Sequence, residues 1–309
     1  MTAKHTHSFD ALLIDEKFDG DIYTDELLSK HTSYRIGGPA KYFVRVASVG
    51  ALRSLLEACE ENGISWMLLG RGTNLLVADE GYDGVAVSLG RDFRSFHYDE
   101  EATRFYAGAG VLLSALVQEA FHRSLAGLEC AVGVPGTLGG ALRMNAGTRD
   151  KWISEQVVSV TTYSPRFGFR KRLGSELEWG YRSSSFGEDE VILEAEIAAC
   201  PADPFYIRGK MEGSLSNRRK SQPTSLPSCG SVFKSPAGYS AGKMIEQLGL
   251  KGTQIGDAQI SEQHANFIVN MGNASAHDVV ALMKLIRDRV FEQYGIQLQP
   301  EVKLVGFTL

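Results

Sequence analysis

GVPGTLGGALRMNAG, Gly133–Gly147, carries five glycines in fifteen positions. That density would destabilise a plain helix or strand. Glycines so clustered let the backbone approach something closely. A second cluster lies upstream, LGRGTNLL at Leu69–Leu76. There the apolar run Trp66–Leu69 enters a tight turn and leaves it through a second apolar segment, Leu75–Ala78. Backbone amides in such a turn can nest an anion. No Gly-Lys-Ser/Thr follows, so this is not a Walker loop. Nor is it GxGxxG, since Gly70 and Gly72 are not followed by glycine at 75. Alone, the loop reads more readily as an ordinary tight turn. Together, two such loops with little positive charge suit a long ligand gripped through its pyrophosphate by amides. A dinucleotide is the natural candidate, and the missing fingerprint argues against a Rossmann cradle for it.

Working outward, the pattern is α+β. Val49–Asn62 reads as an amphipathic helix with Leu52, Leu55, Leu56 and Cys59 on one stripe and Gly63 as its stop. Val85–Leu89, Thr103–Ala107, Val157–Tyr163 and Val191–Ala198 read as strands, and Leu112–Arg123 as a helix. Pro201 and Pro204 mark a boundary near residue 204. Beyond it, Tyr206–Lys220 is helical with a basic end, Ser221–Ser231 is a Pro- and Ser-rich loop, and Ala241–Leu248 is a short helix. Ser275–Tyr294 is the clearest helix, with Ser275 and Asp278 as a capping box and Gly295 as its stop. Val302–Phe307 closes the chain as a strand. Residues 1–30 are expected to form an extension that packs late or loosely.

The 309 residues include 32 Lys+Arg and 37 Asp+Glu, a net charge of −5. That balance argues against a phosphate-backbone binder, so no nucleic-acid partner is expected. The 43% hydrophobic content excludes disorder as the main state. Cys59, Cys130, Cys200 and Cys229 are scattered, with no CxxC, so no metal site is expected and a reducing compartment is. The N-terminus lacks the apolar stretch of a signal peptide, and no uncharged apolar run reaches membrane-spanning length. A cytoplasmic protein without membrane insertion is expected.

Four positions invite chemistry, each with a bland alternative. Arg182, in Tyr181-Arg182-Ser183-Ser184-Ser185-Phe186, can clamp a carboxylate; alone it reads first as a surface arginine at a strand edge. Ser231, in Pro227-Ser228-Cys229-Gly230-Ser231, can be a proton donor or a nucleophile. The GxSxG elbow is missing, which disfavours an acylating hydrolase; a turn serine bonding its own backbone is the alternative. Glu301, after Pro300, is a general acid if buried, and otherwise a solvated carboxylate. His264 can read a ligand, though a satisfied core histidine accounts for its spacing equally well.

Taken together, these segments resemble the UDP-N-acetylenolpyruvoylglucosamine reductase (UDP-N-acetylmuramate dehydrogenase) family. The likeness runs from about His31 to the C-terminus through TSYRIGGPA (Thr32–Ala40), LGRGTNLL, GVPGTLGGALRMNAG, YRSSSF, PSCGSVFKSP (Pro227–Pro236), AGKMIEQLGLKGTQIGDAQIS (Ala241–Ser261), HANFIVN (His264–Asn270) and PEV (Pro300–Val302), in order and in register. The resemblance implies the FAD-binding fold of the vanillyl-alcohol oxidase type, α+β, in two subdomains (31–90 and 91–203). A substrate-binding domain (204–309) would follow, its last strand returning to the FAD domain.

The family's pattern implies non-covalent FAD, with NADPH as electron donor and UDP-N-acetylglucosamine enolpyruvate as substrate in peptidoglycan precursor synthesis, by a monomer. FAD would lie against Tyr34, Arg35, Ile36 and Gly37, against Gly70, Arg71, Gly72, Thr73, Asn74 and Leu75, and against Gly133, Val134, Pro135, Gly136, Thr137, Gly139, Gly140, Asn145, Ala146 and Gly147. Hydride would pass from flavin N5 to C3 of the enol ether. Arg182 would stabilise the enolate, Ser231 would protonate C2, and Glu301 would assist as an acid. Tyr181, His264, Ser235 and Lys220 (or its neighbour Arg219) would face the substrate.

The chain resembles the shorter, second type of the family, because only Gly187-Glu188-Asp189-Glu190 separates Phe186 from Val191 where the first type inserts a Tyr-bearing loop. Three departures from the family pattern stand out. Thr148-Arg149-Asp150-Lys151-Trp152 replaces Ala-Tyr-Gly after NAG, Ser235 replaces an Asn, and Thr73 replaces a Ser. A related FAD-dependent sugar or lactone oxidoreductase, or a non-catalytic FAD-binding protein, are the alternatives. No His sits in a Gly-rich loop, which disfavours a covalent flavin, and candidates for all three catalytic roles disfavour a mere binder.

Overall fold

The computed structural model describes residues 9, 12, 15–148 and 150–307. The chain folds into two compact, interleaved units. The first comprises Met1–Thr24, Tyr42–Gly70 and Gly84–Leu215; the second comprises Asp25–Lys41, Arg71–Asp83 and Ser216–Leu309. The sequence-based boundary near 204 coincides with the first residue of the helix Pro204–Ser221, whose last turns, from Ser216, belong to the second unit. Proline at a first helical position starts a helix rather than ending a domain.

The first core is built on two sheets. One has the strand order Gly20–Leu27, Pro39–Val46, Tyr82–Leu89, Trp66–Leu68, the last two running parallel. The helix Val49–Glu61 starts at Ser48, whose hydroxyl accepts from the Ala51 amide. It buries Leu52, Leu55, Leu56 and Cys59, the stripe expected from sequence. The other sheet is antiparallel, in the order Gly168–Leu173, Val157–Ser164, Val191–Ala198, Arg104–Gly108, Phe96–Asp99. The helix Leu113–His122 buries Leu113, Leu116, Val117 and Ala120 in the same core.

The N-terminal stretch does more than the expected loose extension. Phe9 and Leu12 are buried in the first core, with the Phe9 ring edge-on to Tyr42 at 5.2 Å, and Gly20–Leu27 is a sheet strand. Gly20–Leu27 is an edge strand with mostly exposed side chains. It therefore lacks the apolar alternation by which a half-buried strand is read.

The second core gathers around the helix Ala276–Tyr294. The Ser275 hydroxyl accepts from the Asp278 amide, the Asp278 carboxylate accepts from the Ser275 amide, and Gly295 ends the helix with a φ of 68°. Its stripe Val279, Met283, Ile286 and Val290 is fully buried; each such side chain contributes about 1.5–3 kcal/mol of transfer free energy. The antiparallel strands Gln254–Ile255, Ala258–Ile260 and Ile268–Asn270 lie in sequence order. The final strand, Lys303–Val305, pairs parallel with Leu75–Val77, the segment that follows the first Gly-rich turn.

One ion cluster in this unit is pH-sensitive. The Asp79 carboxylate accepts from the amides of Ala276 and His277 and lies 2.8 Å from His277 Nδ1. That hydrogen bond, reinforced by Glu80, raises the His277 pKa. A raised native pKa adds stability that is complete below the unfolded-state value and is lost as pH rises through the native one. His277→Gln should therefore lower Tm relative to the parent at about pH 5.5, and the difference should shrink above about pH 8. Thermal melts at the two pH values check this.

Candidate active site

Gly70, at the start of the first Gly-rich loop, and the second loop meet inside the first unit. A Cβ on Gly70 would lie 3.0 Å from Thr137 Oγ1. Although the glycine density reads as destabilising a plain helix or strand, Leu138–Arg143 forms a short helix. The Thr137 side chain caps it by accepting from the Gly140 amide. The adjacent glycines have different reasons. A Cβ on Gly139 would press to 2.9 Å on Ala109, so Gly139 lets the helix pack against the end of the strand Arg104–Gly108. A Cβ on Gly140 would meet only Thr137 Oγ1 at 3.6 Å, which leaves an open approach to backbone. Gly133 and Gly136 hold φ values of 70° and 123°, a region that favours glycine. An open, glycine-built turn with little charge fits a dinucleotide pyrophosphate.

The end of that loop is tied to the Arg182 hairpin. Asn145 is buried; its Nδ2 donates to the Gly180 carbonyl at 3.1 Å and its Oδ1 accepts from the Ser154 amide. Ser184 Oγ donates to the Arg143 carbonyl at 2.7 Å. The Arg143 guanidinium in turn donates to the carbonyls of Gly187, at 3.1 Å, and Glu190, so the short turn after Phe186 is pinned. Trp179 and Gly180 pair with Ser184 and Ser183, and Tyr181 and Arg182 form the two-residue turn. Arg182 sits there with a φ of 54°. Its guanidinium lies 5.4 Å from the Tyr181 ring centroid and 5.6 Å from that of Trp152.

The second unit carries Ser231, Glu301, His264, Ser235 and Lys220. Gly230 turns with a φ of 82° into Ser231, which bridges to Phe267. The Val232 amide donates to the Asn266 carbonyl, and the Glu301 amide donates to the Val232 carbonyl at 2.9 Å. Ser231 and Glu301 thus stand on neighbouring backbone segments. Asn266, 4% exposed, locks the arrangement, since its Nδ2 donates to the Phe233 carbonyl and its Oδ1 accepts from the Phe233 amide. Asn74 Nδ2 donates to the Glu301 carbonyl at 3.0 Å, so the first Gly-rich turn and Glu301 share a support.

His264 Nδ1 accepts the Asn266 amide at 3.2 Å, which leaves the ring proton on Nε2 in the neutral form. Burial lowers its pKa, so the neutral donor form is favoured. Lys220 is exposed at the end of its helix, and Ser235 Oγ accepts from the Ala241 amide at the start of Ala241–Gln247.

Several expected cofactor residues have internal duties. Tyr34 is fully buried in the second core; its hydroxyl donates to the Ile268 carbonyl and its own carbonyl accepts from Asn270. Its neighbours Arg35 and Gly37 hold φ values of 56° and 135°. Gly72 is required by crowding, since a Cβ there would lie 2.4 Å from the His31 carbonyl oxygen. Arg149, in the departure after NAG, lies outside the described residues. Sequence reasoning missed the tying roles of Arg143, Asn145 and Asn266. Buried polar side chains leave no periodic signal.

The FAD binding domain family matches residues 40–166. The C-terminal domain of UDP-N-acetylenolpyruvoylglucosamine reductase matches residues 222–305. The reductase of Heliobacterium modesticaldum is 42% identical over 295 residues, 95% of this chain and 93% of its own. The chain belongs to the UDP-N-acetylenolpyruvoylglucosamine reductase family. The reductase of Trichormus variabilis is 40% identical over 93% of this chain and 87% of its own. A crystal structure of the Thermus caldophilus reductase covers 93% of this chain and 99% of its own, with a TM-score of 0.80 at 35% identity. Membership in this reductase family makes the chain an FAD-dependent oxidoreductase. Among the described residues, no helix is long and apolar enough to cross a membrane.

Proposed function

We propose that this chain reduces UDP-N-acetylglucosamine enolpyruvate to UDP-N-acetylmuramate with electrons from NADPH. The observation that carries the reading is the Heliobacterium relative, 42% identical over 95% of the chain and named for that reduction. FAD, bound without a covalent bond, would supply the hydride that reaches C3 of the enol ether. The Gly-rich segments at Gly136–Gly140 and Gly70–Asn74 would hold its pyrophosphate through amides, and residues 34–37 would add backbone contacts.

The protein's own side chains do the rest. Negative charge grows on the substrate carboxylate as the enol ether gains hydride. Arg182 meets that charge with a fixed, planar cation, an interaction strongest in the transition state. Ser231 delivers a proton to C2, and Glu301, on the neighbouring backbone segment, assists as an acid. His264 donates from Nε2 to the nucleotide, while Tyr181, Ser235 and Lys220 line its path. We place the reaction in the cytoplasm, carried out by a monomer. The four free cysteines fit a reducing compartment.

The test is the product. Purified protein, NADPH and the enolpyruvyl nucleotide should yield one lactyl-ether nucleotide per NADPH consumed, by mass spectrometry. NADPH oxidation that ignores the nucleotide would contradict the reading.

A further inference from the structure

The departure after NAG places a tryptophan where the hairpin of Arg182 can use it. Gly147 and Trp152 form an antiparallel bridge, and the Thr148 amide donates to the Lys151 carbonyl at 2.8 Å. The Trp152 amide donates to Glu155 Oε1, and the next amide, of fully buried Ile153, donates to the Ala146 carbonyl. Trp152 is therefore held at its backbone on both sides, with a half-buried side chain. Its ring meets Tyr181 edge to face, with centroids 5.9 Å apart and an interplanar angle of 81°. The Arg182 guanidinium lies within about 6 Å of both ring centroids, the range of a cation–π contact.

Such contacts suit the conformation of Arg182. It occupies a left-handed backbone conformation on a two-residue turn, and an arginine side chain carries large rotamer entropy. Two ring contacts restrict the guanidinium while leaving its in-plane fork geometry suited to a carboxylate. We propose that Trp152 is a positioning residue, one half of an aromatic cradle with Tyr181 that holds Arg182 ready for the substrate carboxylate. The proposal rests on the reading of Arg182 given above.

The test separates the two half-reactions by anaerobic stopped flow. Trp152→Leu keeps apolar bulk but removes the π face, and Trp152→Phe restores a face. Trp152→Leu should reoxidise its reduced flavin with the enolpyruvyl nucleotide about tenfold more slowly than the parent, the scale of one partly buried cation–π contact. Reduction by NADPH and the flavin spectrum should be unchanged, and Trp152→Phe should recover most of the rate. Wild-type reoxidation in Trp152→Leu, equal loss in both half-reactions, or equal behaviour of Leu and Phe would overturn the cradle. Parent protein that is not reoxidised by the nucleotide would instead overturn the functional reading beneath it.

Discussion

Replacing Ser231 by alanine should leave the flavin reducible by NADPH and slow its reoxidation by the enolpyruvyl nucleotide about 10²–10⁴-fold, the usual worth of a positioned proton donor. The backbone gives the reason for confining the loss to one half-reaction. Ser231 lies in an isolated bridge with Phe267, and its neighbour Val232 is hydrogen-bonded to Asn266 on one side and Glu301 on the other. Those contacts use main-chain atoms and survive the substitution. Val232 and Phe233 on its C-terminal side are buried, so the local fold does not depend on the hydroxyl. A serine hydroxyl is a weak acid in water, and we propose that Glu301, on the adjoining backbone segment, assists it. Single-turnover absorbance at the flavin band, each half-reaction separately, measures the split. Equal loss in both would remove Ser231 from the proton step.

Arg182→Lys should cost about 10²–10³-fold in kcat for the same substrate, close to the loss from Arg182→Ala, since a preorganised donor to developing charge is worth that much. Lysine keeps the charge but not the plane. It cannot present two parallel N–H donors to a carboxylate, and its hydrated ammonium loses the ring contacts made to Tyr181 and Trp152. Because the position is a turn with positive φ, both variants share the backbone strain already present and should melt near the parent. Steady-state kinetics with melting curves decide it. A lysine variant with near-parental kcat would show that charge alone suffices and that the fork geometry is unnecessary.

Much of both units was legible because their elements obey simple periods. The stripe of Val49–Glu61 and the capping box of Ala276–Tyr294 follow from side-chain spacing and hydrogen-bonding chemistry, and both appear as expected. The Gly-rich loops were legible as a pair, and Gly70 does approach Thr137. Gly20–Leu27 was missed because an edge strand with exposed side chains has no apolar alternation to display. The short helix Leu138–Arg143 was missed because Thr137 capping and close packing of Gly139 on Ala109 outweigh the propensity cost of two glycines. Asn145, Asn266 and Arg143 act through buried bonds to distant carbonyls, and tertiary partners of that kind are invisible in one sequence. Trp152 was visible only as a departure from the family pattern; its contact with Arg182 needed the hairpin to be built.

The most direct test of the central claim is an anaerobic titration of the purified holoprotein followed through its visible spectrum. NADPH should bleach the oxidised flavin band, and one equivalent of UDP-N-acetylglucosamine enolpyruvate should restore it. A band that bleaches with NADPH and stays bleached in the presence of the enolpyruvyl nucleotide would contradict the assignment of this substrate.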